Sequence, residues 1–284
     1  MLGVWQSRLC NSGPMEIARL NGALGGRVTG IDWGRGLTPD ELTGIEAALY
    51  EHGVLAVAAA GMRPEQHVQL AGHFGEFEHH EFFRNQGEGL EHITVLDSDL
   101  GDRSNMWHID EQFLERPPMV TLTCAIQLPS WGGDTSFISL HAAYEGLSPR
   151  MQQYLEGLVA VHDLGMVAEM VWQGGGCDAP RVADDIAKGK QATHPVVITH
   201  PENGRRAIYL SPTYTRFIQG VPRLEAETIL GLLYAHVQKP EYGYRHRWEL
   251  GDLLIWDNRS VMHQAAYDFG ERRVMHRISV LPPE

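Results

Sequence analysis

Cysteine is scarce. The 284 residues hold three, Cys10, Cys124 and Cys177, with neither metal-type spacing nor the even framework of a disulfide scaffold. Reduced thiols and a cytoplasmic location are the expectation. Long apolar runs are missing as well. No stretch approaches the roughly 18 residues of a membrane span. The first fourteen residues lack the apolar centre of a signal peptide. Positive charge is in deficit, with 23 Lys and Arg against 36 Asp and Glu, a formal net charge of −13. That balance argues against nucleic acid or an anionic membrane as partner. A small anionic ligand stays open, because a local Arg pair outweighs net charge at short range. The glycines form no G-x-G-x-x-G between a strand and a helix, so no phosphate cradle is expected. Internal repeats and low-complexity segments are absent.

The remainder is ordinary for a globular chain: 43% hydrophobic and 21% charged. One domain is expected over 15–284, with 1–14 as an N-terminal extension and Met15 as a natural start. Residues 15–33 read as strand, Gly-rich turn, strand. Thr38-Pro39-Asp40-Glu41 is a capping-box helix start that Gly53 closes. Val54 to Ala60 follows as a buried strand, and Pro64 opens a second helix with Val68 and Ala71 inward. Ile93 to Leu96 reads as a strand, and the polar stretch from Asp97 to Asn105 as a loop.

Val120, Leu122, Cys124 and Ile126 alternate with Thr121, Thr123 and Ala125, a strand by period two. Ser148-Pro149 starts a helix whose buried side is read as Met151, Tyr154, Leu155 and Leu158. Residues 165–192 lack a core of their own and are expected to form a mobile lid. His194 to Ile198 and Ala207 to Leu210 read as strands. Leu224, Thr228, Leu232 and Ala235 keep helical spacing. Trp248 to Leu250 and Leu253 to Trp256, around Gly251-Asp252, read as a hairpin. Val274 to Leu281 is the last strand. Many short strands with a few helices suggest an antiparallel sandwich or barrel.

Two stretches carry chemistry. In Met106-Trp107-His108-Ile109-Asp110, His108 and Asp110 stand two apart, so on an extended segment both point the same way. With 15 His in the chain, a bare H-x-D is weak. A third ligand is best supplied by His263, and two His with one carboxylate make the facial triad of non-haem Fe(II) oxygenases. In the second stretch, Arg273, Met275 and Arg277 share one strand face. Two guanidiniums facing one space call for an anion between them, and an Arg fork matches a carboxylate. A metal triad beside such a fork suits 2-oxoglutarate, which chelates iron and carries a distal carboxylate.

Trp107-His108-Ile109-Asp110, Trp131-Gly132-Gly133-Asp134-Thr135, Trp256-Asp257-Asn258-Arg259 with His263, and Arg272 to Arg277 together resemble the taurine dioxygenase and 2,4-dichlorophenoxyacetate dioxygenase family. The likeness runs from about Ile17 to Leu281. It implies a mainly β fold with flanking helices, a double-stranded β-helix (a cupin-like jelly roll). It also implies an enzyme that uses Fe(II), 2-oxoglutarate and O2 to hydroxylate a small, often anionic substrate, releasing succinate and CO2. Carried over by position, His108, Asp110 and His263 would bind iron. Arg273 would pair with the distal carboxylate of 2-oxoglutarate, and Thr135 would hydrogen-bond it. Arg277 would face the substrate's anionic group or the chelating end of the cosubstrate. His80, Phe83, Ser104 and Tyr214 would line the substrate. Phe83 replaces a Tyr and Ser104 an Asn, which points away from taurine itself. Asp110 favours hydroxylation, since related halogenases lack this carboxylate. A homo-oligomer, dimer or tetramer, is implied as well. Alternatives left open are a zinc hydrolase with the same ligands, a jelly-roll binding protein without activity, and an oxidation such as desaturation that ends without a hydroxyl.

Overall fold

The computed structural model describes residues 13–78, 84–100, 105–172 and 188–283. Cys10, Cys177 and the middle of the expected lid lie outside them. The chain begins with two paired antiparallel strands, β1 (Glu16–Arg19) and β2 (Gly26–Thr29). Thr38 then caps α1 (Pro39–His52): its hydroxyl accepts from the Glu41 amide at 3.2 Å, and Glu41 accepts from the Thr38 amide at 2.8 Å. The reciprocal pair satisfies two of the helix's orphan donors. Gly53, at φ 72°, ends the helix and turns the chain into β3 (Val54–Ala58). A side-chained residue there would cost about 1–2 kcal/mol.

The chain continues through α2 (Pro64–Phe74), β4 (Thr94–Asp97), β5 (Val120–Gln127), β6 (Thr135–Ser139), α3 (Leu140–Glu145) and α4 (Pro149–Leu155). Next come β7 (Val159–Asp163), α5 (Gly165–Trp172), β8 (Gln191–Pro195), β9 (Val197–Thr199), β10 (Arg206–Ile208), β11 (Thr215–Ile218) and α6 (Arg223–Val237). The last strands are β12 (Gly243–His246), β13 (Asp252–Asp257), β14 (Val261–Ala265) and β15 (Val274–Val280). A seven-stranded sheet runs β1-β2-β3-β13-β5-β15-β4, and a three-stranded sheet runs β12-β6-β14. A second three-stranded sheet, β11-β7-β8, and the pair β10-β9 extend the smaller side.

Two apolar layers hold the large sheet. Leu55, Val57, Leu122, Leu253, Ile255, Ile278 and Val280 face α1 and α2, against Ile45, Leu49 and Leu70. The opposite face, with Ala56, Ala125, Leu254, Trp256 and Met275, meets Phe137 and Val261 of the small sheet. A third cluster packs α3 and α6 behind the small sheet, through Leu140, Leu230 and Leu233 on Ile138 and Met262. Each such Leu or Ile contributes about 1.5–3 kcal/mol by leaving water. Two facing sheets flanked by helices make the jelly roll. Among the described residues no helix is long and apolar enough to cross a membrane.

Several expectations need correction. Strand β5 forms as read, but both its faces are covered: Thr121 and Thr123 are buried along with Val120 and Leu122, because the roll closes over the second face. Trp248 to Trp256 is not a hairpin; β13 pairs with β3 and β5, while residues 247–251 cross between sheets. On α6 the read stripe is the solvent face: Leu224 is 77% and Leu232 47% exposed. Ala226, Leu230, Leu233 and Val237 are buried instead. Tyr154 is exposed, not inward. His194 to Ile198 is split at Val196 between two sheets. Of the stretch 165–192, expected to be a lid, the described ends form α5 and the start of β8.

Candidate metal centre

Backbone pairing builds the centre. His108 N–H donates to the His263 carbonyl at 3.0 Å, and His263 N–H returns to the His108 carbonyl at 2.9 Å. This isolated bridge sets the two imidazoles together, ring centroids 4.2 Å apart. The two-residue spacing brings Asp110 to the same side. Asp110 Oδ1 lies 3.5 Å from His108 Nε2 and 3.6 Å from His263 Nε2. All three side chains are buried, and their ligand atoms lie within 4.8 Å of one another.

The imidazoles present the right nitrogens. His108 Nδ1–H donates to the Met106 carbonyl at 2.8 Å, which turns Nε2 toward Asp110. Among the described residues His263 Nδ1 has no hydrogen-bond partner, and the ring is held by its aromatic neighbours. Phe137, its cross-strand partner, stacks on it at 5.9 Å and 25°, and Trp256 lies 4.8 Å away. Burial, with His108 and Arg277 nearby and against the pull of Asp110, pushes His263 down to about 3. Burial alone would raise the Asp110 carboxyl, but His263, His108 and Arg277 together hold it well below the usual range. Two imidazole nitrogens and one carboxylate oxygen, converging where all three side chains are buried, are the donor set that fits Fe(II) with positions to spare.

A polar clamp behind the triad was not legible in the sequence. Thr121 Oγ1 donates to Asp110 Oδ2 at 2.7 Å, and Asn258 Nδ2 donates to the same oxygen at 3.3 Å. Asn258 also donates to Thr121 Oγ1 at 3.0 Å and accepts from Trp256 Nε1 at 3.1 Å. Asp257 holds the turn around Asn258. Its carboxylate accepts from Arg259 Nε at 2.9 Å, Arg259 Nη2 at 2.7 Å and His200 Nε2 at 2.8 Å. Against the penalty of burial, His200 and Arg259 keep this carboxyl down at about 2.

The two expected arginines occupy different places. Arg277 is on the inner face of β15, its Nη1 4.0 Å from Asp110 Oδ1. Arg273 precedes β15 and is buried, its guanidinium 5.7 Å above the Trp248 ring. Trp248 Nε1 in turn donates to Thr135 Oγ1 at 3.0 Å. Gly133, at φ 74°, passes so close that a Cβ there would stand 3.3 Å from Arg273 Cδ. Thr135 stands two strand residues from Phe137, roughly 7 Å along β6. Strand β6 thus spaces the Thr135–Trp248–Arg273 group from the triad. Tyr214 meets the His108 ring edge-on at 6.5 Å and Phe113 at 5.3 Å. His80, Phe83 and Ser104 lie outside the described residues.

A further acidic contact had no sequence signal. Glu78 joins the edge of β15, its amide donating to the Ser279 carbonyl at 2.9 Å. Burial and a hydrogen bond with Glu111 raise its carboxyl to about 10. Glu111 follows Asp110 directly, and among the described residues it alone has a positive φ without being glycine, at 46°.

Comparison with known proteins agrees with this geometry. An alkylsulfatase of Acinetobacter baylyi is 32% identical, over 94% of this chain and 84% of its own. An alpha-ketoglutarate-dependent sulfate ester dioxygenase of Pseudomonas putida is 28% identical, over 94% and 89%. The crystal structure of AAD-2 with Mn(II) and N-oxalylglycine superposes with a TM-score of 0.81 at 28% identity, over 96% of this chain and 99% of that one. The model of the taurine catabolism dioxygenase TauD, TfdA family matches residues 16–279, and the chain belongs to that family.

Proposed function

We propose that this protein hydroxylates a small organic anion, a carboxylate, sulfonate or sulfate ester, as an Fe(II)- and 2-oxoglutarate-dependent dioxygenase. The observation that carries this reading is the convergence of His108 Nε2, His263 Nε2 and Asp110 Oδ1 beside the Arg277 guanidinium. His108, Asp110 and His263 would hold the iron, which supplies O2 activation coupled to oxidative decarboxylation of 2-oxoglutarate. The chain's own part is to bind, orient and keep water out. Arg273, desolvated over Trp248, offers a fork to the distal carboxylate, and Thr135 offers its hydroxyl. Arg277 faces the substrate's anionic group or the chelating end of the cosubstrate. Tyr214 and Phe113 form an apolar wall at the edge of His108. Sulfate esters enter the proposal because two relatives are named for them. Residues 15–284 act as one catalytic domain in the cytoplasm.

The test is succinate release from anaerobically iron-loaded protein given O2 and 2-oxoglutarate. Small sulfonates, carboxylates, sulfate esters and aryloxyacetates are added singly. A compound that raises succinate above the uncoupled rate and is recovered with one more oxygen, or as the carbonyl fragment plus the sulfite, sulfate or phenol expelled when a hydroxylated carbon bearing that group collapses, bears the reading out. Succinate release accompanied by an alkene assigns desaturation instead. No succinate with any compound, together with no visible Fe(II)–2-oxoglutarate charge-transfer band, removes it.

A further inference from the structure

We propose that Thr121 and Asn258 are positioning residues that make Asp110 a one-oxygen ligand, with Asp257, Arg259 and His200 fixing Asn258 in turn. The proposal rests on reading the triad as a metal centre. A carboxylate has two oxygens with about two acceptor directions each. On Asp110 the oxygen Oδ2 is taken by the Thr121 hydroxyl at 2.7 Å and the Asn258 amide at 3.3 Å. Oδ1 alone faces the two imidazoles.

The direction of each bond is determined. Asn258 Nδ2 donates to Thr121 Oγ1, so the Thr121 proton is left for Asp110. Asn258 Oδ1 accepts from Trp256 Nε1 at 3.1 Å and from the Asp110 amide at 3.4 Å, which excludes the flipped amide. Thr121 and Asn258 are fully buried, so water cannot replace either partner. Turning Oδ2 toward a metal would strand both donors, a cost of about 1–3 kcal/mol each. The clamp therefore holds the protein to three donor atoms. The remaining coordination of a bound metal would stay open to a chelating cosubstrate.

Asn258 has little freedom of its own. Its amide donates to the Met119 carbonyl at 2.8 Å, and the Asp257 amide to the Gly53 carbonyl at 3.0 Å. Ser260 N–H closes the turn on the Asp257 carbonyl at 3.0 Å. The Asp257 carboxylate also takes the Arg259 backbone amide at 2.8 Å, besides its side-chain bonds to Arg259 and His200.

The experiment uses the full chain and Co(II) as probe under nitrogen, read by d–d absorption and by quenching of tryptophan fluorescence. Thr121→Val keeps the shape and loses the donor. Co(II) binding is expected to weaken by roughly 10- to 100-fold, the range for losing a partner of a metal ligand, with a changed d–d spectrum. Thr121→Ser restores the hydroxyl and is expected to recover most of the affinity and the wild-type spectrum. Asn258→Asp puts an acceptor against Asp110 Oδ2 and is expected to weaken binding as well; it carries the test if Thr121→Val does not fold. Wild-type affinity and an unaltered spectrum in the folded variants overturn the proposal. A wild-type chain that binds no Co(II) overturns it together with the metal reading on which it rests.

Discussion

Trp248 donates its indole hydrogen to Thr135 Oγ1 at 3.0 Å while the Arg273 guanidinium lies 5.7 Å above its ring. One aromatic side chain from the crossing between sheets thus fixes both groups proposed to meet the distal carboxylate of 2-oxoglutarate. Burial lowers the pKa of Arg273, an environment that makes a bound carboxylate worth more. Arg273→Ala is expected to cost about 2–5 kcal/mol of cosubstrate binding, raising its KM by roughly 30-fold or more. Trp248→Phe keeps an aromatic face under Arg273 and loses one hydrogen bond, worth about 0.5–1.5 kcal/mol, so its KM shift is smaller. Steady-state succinate release against 2-oxoglutarate concentration measures both. An unchanged KM in Arg273→Ala moves the distal carboxylate elsewhere.

The triad carries a simpler prediction. His108→Ala removes one of three convergent donors. Iron-dependent succinate release is expected to fall to background. The visible band of the Fe(II)–2-oxoglutarate complex is expected to vanish with it. Full activity in this variant would remove the metal assignment.

How far the sequence reached depends on how local each signal is. The α1 start was readable because Thr38, Pro39 and Glu41 make their bonds within four residues. The H-x-D was readable because two residues of extended chain return to one face. The roles of Trp248, Thr121 and Asn258 were not legible because they arise from strand pairing. Asn258 meets Asp110 from 148 positions away, and Trp248 meets Thr135 from 113. The hairpin expected at Trp248 to Trp256 failed for the same reason: Leu253 to Trp256 found partners in β3 and β5. Strands β12 and β14 carry Gly, Arg, His and Gln, too polar to stand out by apolar alternation.

Helix α6 shows where periodicity alone is insufficient, and it can be tested. Two leucine stripes share the helical period, and only packing on α3 and the small sheet selects between them. Leu233 is fully buried and Leu232 is 47% exposed, although they are adjacent. Leu233→Ala is expected to destabilise the protein by about 2–5 kcal/mol, as for other buried leucines. Leu232→Ala is expected to stay within about 0.5 kcal/mol. Urea unfolding of both variants decides it, and equal losses would contradict the packing described for this helix.

Buried histidines predict how stability responds to acid. Burial pushes His67, His162 and His263 down to about 3 each. Unfolded, each titrates near 6.5. Between those values the unfolded chain takes up protons that the folded chain refuses. Their contribution is therefore complete above about pH 6.5 and is lost as pH falls, by up to about 1.4 kcal/mol per pH unit for each ring. Glu78 has the opposite sign: its carboxyl is raised to about 10, so its contribution is complete at low pH and declines as pH rises. From pH 6.5 to about 4.5 three rings oppose one carboxyl, and the metal-free protein is expected to lose stability. Near pH 4 and below, Asp257, held at about 2, adds to the loss as its favoured ionised form disappears. Urea midpoints of the chelator-treated chain at half-unit steps measure the slope, and His67→Gln is expected to reduce it by one proton. A midpoint that stays constant or rises between pH 6.5 and 4.5 would mean that these rings take up protons in the folded chain.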